Sequence, residues 1–277
     1  MKLNEQVAIV TGAGRGIGRT IALKCAEAGA SVVLAARTEA QIQQVAGEIK
    51  AAGGRALPVV MDVTDAASVR DMVRQAESTF GPVDLLINNA ASARALGPSW
   101  QIDPDDWWRD LEINVRGLFL CCQAVLPGMV ERQHGRIINL LGAGTARPFQ
   151  NGSAYGTSKA AVMRLTEQLA AETIEHGVRV FGMNPGLVRT SMTEHILDSE
   201  QGQRWLPFMG QSFEAERDVP PTLAGELAVA IGSGQYDALA GRALAVFFDL
   251  DAMQARTAEI IEQDLYTLRL NQLDGKR

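Results

Sequence analysis

Short β-branched apolar runs alternate along this chain with longer stretches of helical spacing. Val7–Val10, Ser31–Ala35, Ala56–Met61, Val83–Ile87, Arg136–Leu140, Arg179–Met183 and Arg242–Phe248 read as strands. Between them, Ile17–Ala28, Glu39–Ala52, Ala66–Phe80, Asp105–Arg132, Ala154–His176 and Thr222–Gly232 read as helices. Strands spaced by helices of this length predict right-handed βαβ units. The expected fold is α/β, a doubly wound, Rossmann-type parallel sheet of about seven strands with helices on both faces. The strand runs are apolar nearly throughout, as burial of both sheet faces requires.

Two segments interrupt the alternation. Residues 190–221 are too long for an ordinary connection, which makes this stretch either a functional loop or a disordered one. From Asp251 to Leu273, the spacing of Met253, Ile260, Ile261, Leu265 and Leu268 predicts one further helix, a C-terminal extension of the sheet domain. No low-complexity linker and no internal repeat divides the chain, so residues 1–277 are expected to form one domain.

Composition narrows the partners. A net charge of −6 with no Lys/Arg run argues against nucleic acid. The start of the chain has no apolar signal core, and no uninterrupted apolar run reaches the roughly 18 residues of a membrane span. Cys25, Cys121 and Cys122 are too few for a disulfide framework, and the adjacent pair does not readily bridge to itself. Reduced thiols in a cytoplasmic protein are the expectation, with neither membrane nor nucleic acid as partner.

The first strand runs into Thr11-Gly12-Ala13-Gly14-Arg15-Gly16-Ile17-Gly18, and a helix follows. Small residues here let a pyrophosphate approach the backbone, and the free N–H groups of the helix start stabilise its charge. The strict G-x-G-x-x-G spacing is not met. As a set, however, this turn, Asn88-Asn89-Ala90, Asn114, Tyr155-x-x-x-Lys159 and Asn184-Pro185-Gly186 with Thr190 resemble the short-chain dehydrogenase/reductase family in kind and order. The resemblance spans roughly Leu3 to Phe248.

It implies a nicotinamide cofactor held by Gly12, Gly14, Arg15, Gly16, Ile17, Gly18, Arg37, Asp62, Val63, Asn88, Ala90, Pro185, Gly186, Val188 and Thr190, besides Tyr155 and Lys159. Asp62 would meet the adenine, and Asn88 the adenosine side. In doubly wound folds, a carboxylate at the end of the second strand selects NAD by holding the ribose 2′-OH. Ala36 stands at that position and Arg37 follows, so NADP(H) is expected rather than NAD(H). The Arg37 guanidinium suits a 2′-phosphate, and Arg15 adds a second positive charge.

Tyr155 and Lys159 are four apart on a helical segment and project from one face. A phenol with a pKa of about 10 is a poor acid–base catalyst near neutrality. A nearby ammonium and an oxidised nicotinamide would lower it by ~2–3 units, which needs about 3–4 kcal/mol. The resemblance implies that Tyr155 is the general acid/base in the interconversion of a carbonyl and an alcohol. It also implies that Lys159 binds the nicotinamide ribose and that Asn114 holds water in a proton relay.

One element of the pattern is missing. The family places a serine 13 residues before the tyrosine to hydrogen-bond the substrate carbonyl, and here that position is Gly142, after Leu141. Losing one such donor costs ~10²–10³ in turnover, far less than a whole enzymatic acceleration. A replacement hydroxyl from Thr145, a backbone N–H of the glycine-rich loop or a donor on the substrate are the alternatives, and Thr145 is the residue taken here. Thr145 closing a loop is the competing reading. A catalytically silent cofactor-binding protein acting through partners is the alternative function that Gly142 motivates.

No metal motif is present: there is no H-E-x-x-H and no Cys pair at zinc spacing. The resemblance implies that the long stretch 190–221 closes over the substrate. Its Met192, Trp205, Leu206, Phe208, Met209 and Phe213 suggest a hydrophobic small-molecule substrate, with anchoring of the loop itself as the competing reading. Trp100, Trp107 and Trp108 are expected to pack at the start of the helix before Asn114. The resemblance also implies a homodimer or homotetramer, paired through the helices that carry Asn114 and Tyr155. The C-terminal helix would pack on its own subunit or on a neighbour.

Overall fold

A computed structural model describes residues 2–270. Among them, seven parallel strands form one sheet in the order β3-β2-β1-β4-β5-β6-β7. The strands are β1 (Val7–Thr11), β2 (Ser31–Ala36), β3 (Arg55–Val60), β4 (Leu85–Asn88), β5 (Gly135–Leu140), β6 (Val178–Asn184) and β7 (Ala243–Ala245). The sequence expectation of a doubly wound sheet agrees with this order.

The apolar runs divide between the two faces with a period of two. Ala8, Val10, Val32, Leu34, Ile138 and Phe181 pack with α1 (Gly16–Glu27), α2 (Glu39–Ala51) and α10 (Thr222–Gly232). Val7, Ile9, Val33, Leu86, Ile137 and Val180 pack with α3 (Ala66–Phe80), α5 (Leu118–Glu131) and α6 (Ser153–Thr173). Both faces are therefore covered, which is why the strands carry no polar alternation.

The long helix expected over Asp105–Arg132 is α4 (Pro104–Leu111) and α5 joined through one π-helical turn, Glu112–Gly117. Asp103 starts it by accepting the N–H of Asp105 at 2.8 Å, with Pro104 at the first helical position. The whole span Pro104–Glu131 is long and apolar enough to cross a bilayer by composition. Its Leu118, Cys121, Cys122, Val125 and Met129 are spent on the core beside the sheet. The tryptophans differ from expectation. Trp100 is 84% exposed and Trp108 63% exposed, and only Trp107 is anchored, donating from Nε1 to Ser153 Oγ at 3.2 Å.

Residues 190–221 are a folded cap rather than a loop. They form α7 (Ser191–Asp198), α8 (Glu200–Trp205) and α9 (Pro207–Glu214). Thr190 and Thr193 close a reciprocal cap at the start of α7, and Ser199 accepts the Gly202 N–H at the start of α8.

β7 is shorter than the run Arg242–Phe248, because the chain turns away where Phe248 N–H donates to Ala245 O at 3.0 Å. The single helix expected over 251–273 is instead two short ones, α11 (Leu250–Ala255) and α12 (Thr257–Glu262), broken at Arg256. Met253 and Ile260 pack into one core face, while Ile261 is 49% exposed. The stretch after α12 runs along the sheet edge, where Tyr266 O accepts the Ala243 N–H at 2.9 Å. Residues 271–273 of the expected helix lie outside the described residues.

Candidate active site

Strand order reverses between β1 and β4, which opens a crevice beyond their C-terminal ends. Both signature turns meet there. Thr11 Oγ1 accepts the N–H groups of Asn89 and Ala90, each at 3.0 Å. Asn89 Nδ2 returns the contact, donating to Thr11 O at 2.8 Å and Gly12 O at 3.2 Å. Gly12 has φ +65°, and a β-carbon on it would meet Asn89 Nδ2 at 2.8 Å. One on Gly18 would overlap the Gly12 carbonyl, so only glycine lets α1 start this close to β1. The first turn of α1 has no side-chain cap and no acidic residue, which leaves its N–H groups for an anion.

Around this turn the expected cofactor residues gather unevenly. Ile17 is half-buried in the first turn of α1, and Arg15 before it is exposed. A β-carbon on Gly14 would meet Gln41 at 2.8 Å, so that glycine serves packing against α2. Thr190 faces the turn from across the crevice, with its methyl 3.3 Å from where a Gly16 β-carbon would be. Its hydroxyl is committed to the start of α7. Gly186 has φ +77°, and its N–H donates to Asn184 Oδ1 at 3.0 Å. Pro185 precedes it at the end of β6, and Val188 is buried beyond it.

Arg37 is exposed just past β2, with Ala36 before it and no carboxylate at the strand end. It lies close enough to Asp62 to act on its charge. Burial pulls the Asp62 carboxyl upward, but the N–H and hydroxyl of Thr64, then Arg37 and Arg109, bring it below its usual range. Val63 is half-buried against the π turn, where a Gly117 β-carbon would strike it at 2.7 Å.

Asn88 departs from its expected place. Its side chain turns into the protein under α5, donating to Asn139 Oδ1 at 2.9 Å and Cys122 Sγ at 3.2 Å. Successive residues of a strand face opposite sides, so Asn89 meets the glycine turn and Asn88 does not. The side chain of Asn88 is thus committed inside the protein, leaving its backbone toward the crevice side, and Ala90 reaches the turn through its backbone.

The expected catalytic group is brought together on α6 and its neighbours. Asn114 sits within the π turn and is buried. Its Oδ1 accepts the Ser92 N–H at 2.7 Å, and its Nδ2 donates to Ser92 O at 2.8 Å and Ser158 Oγ at 2.9 Å. Ser158 Oγ in turn donates to Tyr155 O at 2.7 Å. Asn114 therefore ties α6 to the segment after β4, and one lone pair of its oxygen remains free.

Lys159 is buried and donates from Nζ to Leu140 O at 2.8 Å. Nζ also lies 5.4 Å from the centroid of the Tyr155 ring. Burial lowers the Lys159 ammonium to about 8. Tyr155 moves the other way. Burial, with the charge of Asp110 adding to it, pushes the phenol up to about 12. The depression expected from Lys159 is absent in the protein alone, because the ammonium is aimed at a carbonyl rather than at the phenol oxygen.

Thr145 does not supply the missing hydroxyl. Its Oγ1 donates to Gly142 O at 2.8 Å and accepts the Gly142 N–H at 3.3 Å, so its one proton closes a turn. A β-carbon on Gly142 would overlap the Tyr155 phenol oxygen.

Above Tyr155 is an apolar wall built from Ala93, Ile196, Leu206, Met209 and Phe213, with Phe149 and Met192 beside them. Phe149 stands edge-on to Tyr155, with ring centroids 6.0 Å apart, and Phe208 packs on Phe149 at 6.1 Å. Trp205 is held to the rim, where its carbonyl accepts from Asn151 Nδ2 at 3.0 Å. A depression of about 420 Å³ lies on the opposite side of α6, between Gly144–Phe149 and Ser153, Gly156 and Thr157. Those α6 positions point away from Tyr155 and Lys159, so it is not the reacting site.

Sequence reasoning missed Thr11, Asn89, Ser158, Asp110 and Phe149. Ser158 and Asp110 carried a usable signal, being next to Lys159 and one helical turn before Asn114. Phe149 carried none, because it reaches Tyr155 from a loop.

A glycine turn at the switch point of a doubly wound sheet, with a tyrosine and lysine beyond the next strands, defines a dinucleotide-binding enzyme. The sequence model of the short chain dehydrogenase family matches residues 6–201. An oxidoreductase of Escherichia coli K12, UcpA, is 36% identical over 246 residues, 87% of this chain and 92% of its own length. A short chain dehydrogenase of Pseudocercospora fijiensis is 41% identical over 194 residues, 69% of this chain and 62% of that protein. A gluconate 5-dehydrogenase of Burkholderia cenocepacia, solved with NADP and tartrate, superposes with a TM-score of 0.79 at 31% identity. The alignment covers 88% of this chain and 94% of that one. The chain belongs to the short-chain dehydrogenase/reductase family and is an NAD(P)-dependent oxidoreductase.

Proposed function

We propose that this protein interconverts a carbonyl and an alcohol with NADP(H), using Tyr155 as the proton-transferring group. The observation that carries the reading is the Tyr155 phenol itself. It lies beside Gly142 at the end of β5, packs against the apolar wall, and has the Lys159 ammonium against its ring.

The crevice suits the cofactor. Glycine at 12, 16 and 18 leaves room that a β-carbon would close, and the open start of α1 favours a pyrophosphate. Arg37, at the end of β2 where no acid stands, suits a 2′-phosphate, and the B. cenocepacia neighbour was solved with NADP. When bound, NADPH supplies a hydride to the substrate carbon. Tyr155, held as the neutral phenol, donates its proton to the substrate oxygen. Lys159 then stands next to the phenolate as the compensating cation. Asn114 holds the floor of the site through Ser92 and Ser158, with a lone pair left for water.

With Thr145 committed, the phenol is the side-chain donor left to the substrate oxygen beside Gly142. The wall of Leu206, Met209, Phe213 and Phe149 excludes water and favours an apolar substrate. Exposed Trp108 and Phe119, three turns apart on the long helix, support pairing of two copies through that face.

The test is NADPH oxidation at 340 nm against a panel of apolar ketones. Turnover is expected, and Tyr155→Phe should lower it ~10²–10⁴-fold with NADPH binding intact. Tight NADPH binding with no turnover on any ketone would favour the silent cofactor-binding reading that Gly142 motivates.

A further inference from the structure

Asp110 is 1% exposed and has no cationic partner among the described ion pairs. Its Oδ2 accepts two backbone N–H groups, Arg94 at 2.9 Å and Ala95 at 3.0 Å. Its Oδ1 is buried without a partner. A buried carboxylate with an orphan oxygen is costly, so a role at the site is the question it raises.

Its position is defined by α4 and α6. Trp107 of α4 bonds Ser153 at the first residue of α6, and Asn114 bonds Ser158 one turn further. Asp110 lies between these two contacts on the same helical face, which places it across from the α6 turn that carries Tyr155. The segment it holds is part of the substrate wall, since Ala93 belongs to the same apolar cluster as Tyr155.

We propose that Asp110 is a positioning residue for Tyr155. It anchors Ser92–Ala95 together with Asn114, and it sets a carboxylate with no cationic partner among the described ion pairs against the phenol. The site is thereby biased toward giving a proton to a substrate oxygen rather than taking one from an alcohol. This deepens the reading of Tyr155 as the proton donor and rests on it.

The other charged group facing Tyr155 is Lys159 from α6 itself, whose ammonium is directed to Leu140 O. From the segment after β5 come Phe149 and Gly142, and from the cap α7–α9 come Met192, Met209 and Phe213, none of them titratable. Arg94 and His195 are exposed. Asp110 accordingly acts on the phenol in the same direction as burial, disfavouring its ionised form. Removing the negative charge favours the phenolate, so the phenol should ionise at lower pH.

The experiment is a phenolate titration at 295 nm, on the protein with and without saturating NADP⁺, over the range where circular dichroism shows it folded. Only three tyrosines contribute, and subtracting the Tyr155→Phe trace isolates Tyr155. Asp110→Asn should bring the Tyr155 midpoint down by about one pH unit, the size of a unit charge acting between packed helices. Asp110→Glu should keep the wild-type trace, and Asp110→Ser serves as the neutral variant if the amide does not fold. The alkaline limb of NADPH-dependent ketone reduction should move down by the same amount. Identical traces and limbs for wild type and a folded neutral variant would overturn the proposal. The titration needs no turnover, so a failure of Tyr155 as proton donor would show separately, as an active Tyr155→Phe enzyme.

Discussion

The phenol oxygen of Tyr155 fills the space that a β-carbon on Gly142 would need, and the ring carbon bearing it lies 3.2 Å from that point. Gly142 is therefore the partner of this tyrosine position rather than a mere lost donor. Gly142→Ser and Gly142→Ala should both displace the phenol. A misplacement of about 1 Å costs on the order of 10²-fold in rate, so neither variant should raise kcat. Steady-state NADPH oxidation measures this. A serine variant faster than the parent would show that the tyrosine relaxes into a better place.

Thr145→Val should leave kcat within about twofold, because its hydroxyl is spent on the Gly142 backbone. Losing that turn should cost stability instead, about 1 kcal/mol, readable from urea unfolding. A large fall in kcat at unchanged stability would return Thr145 to the substrate.

Arg37→Asp should raise the Michaelis constant for NADPH by tenfold or more, about 1.4 kcal/mol of a charge-assisted contact, and change that for NADH little. Equal effects on both cofactors would remove Arg37 from the 2′-phosphate.

Lys159 makes stability depend on pH. Its ammonium titrates near 8 in the folded protein against 10.5 unfolded, so between those values the unfolded chain holds more protons. Stability should rise with pH across that window, by roughly 3 kcal/mol at most. Tyr155, raised from 10 to about 12, works oppositely, and its contribution is lost as pH climbs through that range. Thermal melts from pH 7 to 10.5 should show the rise in the parent and not in Lys159→Met.

The chain after α12 is fastened by Glu167, whose carboxylate is paired with Arg164 and Arg269 and accepts the Leu268 N–H at 2.6 Å. It covers β7, the edge strand of the sheet. Glu167→Gln should loosen it at a cost of about 1–3 kcal/mol. Deleting Asp251 onward should lower thermal stability and change the mass in light scattering, since an open strand edge pairs with other chains. A deletion that leaves both unchanged would show that this stretch covers nothing of consequence.

Much of this was legible beforehand because it is local. The continuous apolar runs and the helical spacing between them are set by residues close in the chain, and strands alternating with helices of that length give right-handed parallel units. Tyr155 and Lys159 could be paired because four residues along a helix is one turn. What failed was any assignment that needed a direction in space. Asn88 and Asn89 are adjacent and chemically identical, and only the pleat decides which of them meets Gly12. Trp100 and Trp108 are expected to pack at the start of the long helix, yet Trp100 lies in the turn before α4 and Trp108 on its outer face, both exposed. The C-terminal spacing was helical on average, but the chain breaks at Arg256 to reach both sheet faces.

By itself, the sequence determined the doubly wound sheet, the glycine turn at its switch point, the tyrosine–lysine pair and the absence of a hydroxyl at residue 142. These depend on residue type and on spacing within single elements. Only the tertiary structure decided where the phenol rests, that Thr145 is spent on a turn, and that Asp110 of α4 is buried with one carboxyl oxygen left without a partner. Those outcomes come from contacts between elements distant in the chain, whose distances and directions are set by packing.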